Sequence, residues 1–324
     1  MAHDIDTTAG RAAMAFAGAV PWHGKGQSVD PRATPEQWRT AAGLDWEAKR
    51  TPVVFSGLND EYVNWNERHV LFRSDTGSPL SVVSDDYKIV QPGDVMEFFG
   101  ALAKSGQFSI ETVGALKEGR RIWALARVGE NESIMDDEIA PYVMLATSYD
   151  GSMATIAQWT SVRVVCSNTL QAALRNTAGQ SRVTIPHSAM FKPDEVRQNL
   201  GIAINSWDEF IINARRLAGR KITDAEMDAY LQEMLTPPAG TDYSPEKVRA
   251  SKGYQRIVSL FKGGQIGSGQ DAIAGTAWGL LNATTQYVDY EKGRMQDNRL
   301  DNAWFGTGAR FKDKALDVIE KVAA

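Results

Sequence analysis

The stretch S-V-R-V-V-C-S-N-T-L (residues 161–170) decides how the chain is read. Alternation places Val162, Val164 and Cys166 on one face of a strand, with Arg163 and Val165 on the other. The switch to small polar residues ends that strand, and Ser167 or Asn168 is set to cap a helix carrying Leu170, Ala173 and Leu174. Residues 154–165 thereby become the last of four strands. The first runs over 108–116, K-E-G-R (117–120) turns the chain, and R-I-W-A-L-A-R-V (121–128) returns. Residues 142–147 supply the third strand, and D-G-S (150–152) is a hairpin signal before the fourth. Upstream, Val95, Phe98, Phe99 and Leu102 recur at helical spacing. The core unit reads as helix, four antiparallel strands, helix.

The flanks differ. Residues 1–50 read as an irregular arm with one helix opened by T-P-E-Q-W (34–38), where Thr34 caps, Pro35 starts and Gln37 completes a capping box. Strand-like runs follow at 52–55, 69–73 and 81–84. Beyond residue 192 the pattern is helical, with apolar Val196, Leu200, Ile204, Trp207 and Ile211 along 193–217 and a second capping box in T-D-A-E-M (223–227). S-P-E-K-V (244–248) opens another helix, a glycine-rich linker spans 262–270, and helices are expected near 272–291 and 309–323. The expected fold class is α+β: an N-terminal arm (1–50), a core with an antiparallel β-meander flanked by helices (51–190), and an all-helical C-terminal domain (191–324).

Composition narrows the setting. The chain has 324 residues, 43% of them hydrophobic, enough for a substantial core. No apolar run approaches the roughly 18 residues a membrane span needs. The opening M-A-H-D-I-D-T-T holds two acids and no basic segment, unlike a signal peptide. One cysteine excludes an internal disulfide and fits a reducing cytoplasm. His3, His23, His69 and His187 are scattered without metal-ligand spacing, so neither metal nor cofactor is expected.

Net charge is −5, yet the charge is unevenly placed. Residues 151–193 hold no Asp or Glu, where the chain's density of 40 acids in 324 residues would give about five. That window carries Arg163, Arg175, Arg182 and Lys192, and a second acid-free window, 247–270, carries Lys247, Arg249, Lys252, Arg256 and Lys262. Buried strands lack acids for ordinary reasons, but two basic islands on an acidic chain also suit an anionic backbone.

Chemical motifs are sparse. Cys166 as a nucleophile needs a base, and His187 is the candidate some twenty residues on; a cysteine among valines is more often a small buried hydrophobe. G-G-Q-I-G-S-G (263–269) lacks the lysine-serine ending of a phosphate-binding loop. D-D-E (136–138) points its acids in different directions. These readings argue against a conventional enzyme. The basic features stand out more. On one helix, Arg249, Lys252 and Arg256 would share a face with Tyr254 nearby, and Lys117, Arg120 and Arg121 would crowd a hairpin tip. Trp65, Trp123, Trp159 and Tyr254 are candidates to stack bases, although Trp123 and Trp159 fit the core better.

The blocks P-W-H-G-K-G (21–26), S-Y-D-G-S (148–152), S-V-R-V-V-C-S-N-T-L, G-T-A-W-G-L-L-N-A-T-T-Q-Y-V-D (275–289) and A-W-F-G-T-G-A-R-F-K-D-K-A-L (303–316) resemble the phage/plasmid-like protein family, whose core is a domain of unknown function, DUF932. The same is true of the opening segment M-A-H-D-I-D-T-T-A-G-R-A-A-M-A-F. The resemblance implies a phage or mobile-element origin and names no activity. The order helix, four strands, helix is also similar to the core of ring-forming single-strand annealing proteins, a likeness at the level of fold alone. It implies an oligomeric protein that holds single-stranded DNA without catalytic chemistry. Lys117, Arg120, Arg121, Arg163, Arg175 and Arg182 are then the expected backbone contacts, with Arg249, Lys252 and Arg256 as a second track. The alternative is a structural or protein-interaction factor, such as one countering a host defence, with no affinity for nucleic acid.

Overall fold

The computed structural model describes residues 4–18, 20–21, 24–103, 108–135, 137–163, 169–171, 182–202, 204–237, 244–263, 271–293 and 299–323. The first part of the chain forms β1 (Met14–Phe16), β2 (Gln27–Ser28), α1 (Pro35–Ala41), β3 (Ala48–Ser56), β4 (Tyr62–Arg73), β5 (Pro79–Ser84) and α2 (Pro92–Ala103). Next come β6 (Phe108–Leu116), β7 (Arg121–Val128), β8 (Glu132–Ile134), β9 (Asp137–Ser148), β10 (Thr155–Arg163), β11 (Thr169–Gln171) and β12 (Arg182–Ile185). Helices follow: α3 (Pro193–Ile202), α4 (Ile204–Gly219), α5 (Asp224–Leu235), α6 (Pro245–Arg249), α7 (Lys252–Phe261), α8 (Ala277–Tyr290), α9 (Arg299–Phe305) and α10 (Thr307–Val322). The class is α+β with a mixed sheet and C-terminal helices.

The chain divides into two compact units, and the first comprises Met1–Gly129, Tyr142–Gln158 and Arg182–Ala203. The expected meander strands are present as β6, β7, β9 and β10. Antiparallel ladders join β6 to β7, β7 to β9 and β10 to β12, while β1 pairs antiparallel with β6 and parallel with β2. Helix α2 buries Val95, Phe98 and Phe99 against β6 and β7, as its spacing requires. Each such side chain contributes about 1.5–3 kcal/mol through apolar burial. Helix α1 has the expected capping box at Thr34 and Gln37 and buries Trp38. Strands β3, β4 and β5 form a separate antiparallel sheet, longer than the short runs in the sequence suggest.

The second unit comprises Glu130–Pro141, Trp159–Ser181 and Ile204–Ala324. Its centre is α8, buried from Ala277 to Gln286. Thr284 and Thr285 donate to the carbonyls of Leu280 and Leu281, which satisfies their hydroxyls inside the core. Trp159, Trp207, Phe210 and Trp278 follow one another at ring separations of 6.4, 5.2 and 6.0 Å. The indole of Trp278 donates to buried Asp137 at 2.9 Å. The ammonium of Lys312 is buried and lies 2.8 Å from Asp289. The two C-terminal blocks that carry the family resemblance are therefore core-forming segments of this unit.

One expected element is replaced. Thr169–Gln171, read as the start of a helix, is strand β11, and it pairs antiparallel with Thr160, Ser161 and Val162 of β10. The backbone groups on that side of β10 take a strand as partner, a tertiary demand that overrides the local cap signal. Ser167 and Asn168, the candidate caps, lie outside the described residues, as do Cys166 and Arg175.

Candidate nucleic-acid interface

The hairpin between β6 and β7 turns through Lys117, Glu118 and Gly119, at φ of 54°, 59° and 87°. The amide of Gly119 donates to the carbonyl of Leu116, closing a tight turn of the kind that two positive φ values define. Glycine is required at 119 for a second reason. A Cβ there would stand 2.9 Å from Nη1 of Arg73 and 3.3 Å from the ring of Trp46.

Beneath the turn lies a charge cluster that the sequence reading missed. Arg73 is wholly buried, donates to both carboxylate oxygens of Asp75 at 2.9 and 2.7 Å, and reaches Asp6 at 2.5 Å and the Thr8 hydroxyl at 2.9 Å. Its guanidinium also stacks 4.6 Å over Trp46. Burial opposes its charge, but the bonds to Asp75 and Asp6 outweigh this and hold its pKa above the ordinary value. Those same bonds hold Asp75 below the ordinary carboxylate value. The only local sign in the sequence is R-S-D (73–75); Asp6 is brought in by the fold.

Above this cluster a cleft of about 320 Å³ is lined by residues 4–8 together with Lys117, Glu118 and Arg120. Lys117 is half-buried, and Arg120, 41% exposed, sits 3.4 Å from Glu118. Arg121 departs from expectation. It is the first residue of β7, is 5% exposed, and donates to the Ser152 hydroxyl at 2.8 Å. It faces into the unit because it pairs with Leu116 and Ser148 across the ladder, so it offers no grip to a backbone in solvent.

The second track is also revised. Arg249 ends α6, whereas Lys252 and Arg256 lie on α7, because Ser251 intervenes and caps α7 by accepting from the Tyr254 amide. Arg249 is clasped by Asp228, Nε to Oδ1 at 2.8 Å and Nη2 to Oδ2 at 2.6 Å. Arg256 meets both oxygens of Glu291 at 2.8 and 2.7 Å. Tyr254 donates to Asp228, and burial together with that carboxylate pushes its pKa up to about 12. Of this trio, Lys252 and Arg249 are exposed, Arg249 with its guanidinium on Asp228, and Arg256 is half-buried.

In the first basic island, Arg163 closes β10, and Arg182 is exposed at the start of β12. Lys192 is paired with Glu195 at 2.7 Å. Trp123 and Trp159 are buried, as the core reading holds, and Trp65 is 45% exposed with Arg68 5.4 Å over its ring. His187 stacks on Tyr87 at 4.4 Å, and its ring nitrogens lie 3.0 and 3.4 Å from the carbonyls of Met153 and Lys88. In the D-D-E segment, Asp136 lies outside the described residues, while Asp137 is spent on Trp278. The linker residues 264–270 lie outside them too. Among the described residues, no group of His, Cys, Asp and Glu is arranged to hold a metal ion, and no helix is long and apolar enough to cross a membrane.

Compared with known proteins, residues 79–304 match the model of a family described as "Domain of unknown function (DUF932)". That match takes in the meander, α2 and the helices through most of α9. No curated protein and no solved structure matches the chain.

Proposed function

The chain belongs to the DUF932 family, and from the distribution of its charge we propose that it is a single-stranded-DNA-binding protein of the annealing type. It would act in recombination for a phage or mobile element, as a homo-oligomer in the cytoplasm of a bacterial host. The observation that carries this reading is the acid-free window 151–193, with Arg163, Arg175 and Arg182 inside it and Arg182 exposed on β12. Lys252 adds an exposed cation that a phosphate backbone can use, and Lys117 and Arg120 stand half-buried at the β6–β7 turn, Arg120 3.4 Å from Glu118. Annealing asks for electropositive tracks that hold backbones and leave bases free, and for no acid, base or nucleophile.

The test is binding of the purified protein to a fluorescent single-stranded oligonucleotide across a salt series. Salt-sensitive binding is expected, and Arg182→Glu should weaken it and lower the slope of log K against log salt by roughly one unit per lost phosphate contact. No binding at low salt removes the reading.

A second reading, a structural or protein-interaction factor of a mobile element, is favoured by a different observation. Val54, Phe55, Leu58, Tyr62 and Trp65 all lie exposed on or beside one hairpin. Residues of this kind concentrate at protein interfaces.

A further inference from the structure

The sheet of β3, β4 and β5 turns one face to the interior, where Ala48, Leu71, Arg73 and Val83 are buried. Its other face is open. There Thr51 opposes Val70, and Val70 opposes Val82, which is 59% exposed. Nearer the tip of the β3–β4 hairpin, Val53 opposes Trp65 and Phe55 opposes Val63. Directly opposed residues share a face, as do residues two apart along a strand. Lys49, Thr51, Val53 and Phe55 therefore line the open side of β3. Residues 66–68 of β4 have no partner on β3, and this bulge keeps Arg68 on the open side. Arg68 pairs with Ser84, and its guanidinium lies 5.4 Å over the Trp65 ring. Phe55 is 49% and Trp65 45% exposed, and neither ring stacks on another ring of the described residues. Lys49 is exposed, and among the described residues neither it nor Arg68 is paired with a carboxylate; the Arg68 guanidinium donates to the Glu67 carbonyl at 3.3 Å.

We propose, resting on the DNA-binding reading, that this open face is a platform for single-stranded DNA, with Phe55 and Trp65 stacking on its bases and Lys49 and Arg68 holding its phosphates. Stacking tolerates any sequence, because every base has a flat face, and it needs open rings beside a cationic track. Both are on this face. Charge selects nucleic acid over a protein partner. The core of a protein interface is depleted of charge, whereas here two cations without a carboxylate share the face with the rings. Of the sheet's acids, Asp85 sits 3.8 Å from Arg50 on the other side. Asp60 and Glu61 stand at the hairpin tip, beyond the rings, and Glu67 in the bulge pairs with neither cation. Spacing agrees as well. Phe55 and Trp65 are diagonal neighbours across the ladder. Such neighbours stand roughly 7–8 Å apart, about twice the 3.4 Å between successive stacked bases. The exposed hydroxyls of Thr51 and Ser84 add donors for phosphate oxygens.

Fluorescence anisotropy of a labelled oligothymidylate with the full chain, run beside an abasic strand of the same length, separates stacking from backbone grip. The wild type should bind the base-bearing strand about tenfold or more tighter than the abasic one. Phe55→Ala and Trp65→Ala should each weaken binding to oligothymidylate about tenfold, leave the abasic strand unaffected and keep the circular-dichroism melting temperature. Trp65→Phe should retain most of the affinity. Lys49→Ala and Arg68→Ala should each lower the salt slope by about one unit on either strand. Equal affinity of the wild type for the two strands overturns the platform. So does binding that Arg182→Glu weakens and Phe55→Ala with Trp65→Ala leaves intact, an outcome that spares the DNA-binding reading. No binding by the wild type at low salt overturns both. If light scattering then shows a wild-type dimer that Phe55→Ala with Trp65→Ala dissociates, the face is a contact between copies of the chain instead.

Discussion

The guanidinium of Arg73 and the carboxylate of Asp6 meet at 2.5 Å, and neither side chain reaches solvent. The pair ties β4 to the N-terminal segment directly under the turn that joins β6 to β7. Removing Arg73 strands Asp6 as a buried charge, which costs about 3–5 kcal/mol, whereas removing Asp6 leaves Arg73 its two bonds to Asp75. Arg73→Leu should therefore lower stability by that order in urea unfolding and Asp6→Leu by less, with the double variant less damaged than the sum of the two. Additive losses would show that the pair does not act as a unit.

Gly119 is held at φ of 87° with Arg73 and Trp46 pressed against it. Alanine there meets both an unfavourable backbone region and the guanidinium. Gly119→Ala should cost about 1–3 kcal/mol, while Gly151→Ala, at φ of 69° in open space, bears the backbone penalty alone and should cost less. Equal midpoints in urea for the two variants would remove the contact with Arg73 from this account.

The parts of the fold that are legible in the sequence are those fixed within a few residues. Thr34 with Gln37 and Thr223 with Glu226 form the capping boxes their spacing announces. K-E-G-R and D-G-S turn the chain where alternating strands need turning, and Val95, Phe98 and Phe99 bury as a helical stripe. What escaped is set from afar. Strand β11 exists because Thr169–Gln171 has Thr160–Val162 beside it. Arg121 is buried because Ser148 and Ser152 close over the start of β7. The shared face of Arg249 and Arg256 fails because Ser251 restarts the helix, and both arginines find carboxylates 21 and 35 residues away. Counting cations locates basic islands; only the fold shows which of them are already neutralised.

That neutralisation separates residues the sequence treats alike. Arg249 is clasped by Asp228, whereas Lys252 and Arg182 are exposed cations. Under the DNA-binding reading, Lys252→Ala and Arg182→Ala should each reduce the salt slope by about one unit, and Arg249→Ala should leave it unchanged. Arg249 is nearly half exposed, so losing its ion pair should leave the urea midpoint almost unchanged. A slope change for Arg249→Ala as large as that for Lys252→Ala would show that the ion pair opens on binding.

Glu226 provides a prediction in pH. Its carboxylate accepts from the backbone amide and hydroxyl of Thr223 and from Arg220, and these bonds hold its pKa at about 2, below the ordinary 4.5. A depressed acid binds its proton more weakly when folded than when unfolded. Its contribution to stability is therefore complete above about pH 4.5 and is lost as the pH falls toward 2. Glu226→Gln keeps the shape of the capping box without the charge. The variant should be less stable than the wild type at neutral pH, and the gap should close between about pH 4.5 and pH 2. Urea midpoints for both proteins across that range decide the matter. A gap independent of pH would mean that the cap works through shape and neutral hydrogen bonding, and that the charge of Glu226 adds nothing to α5.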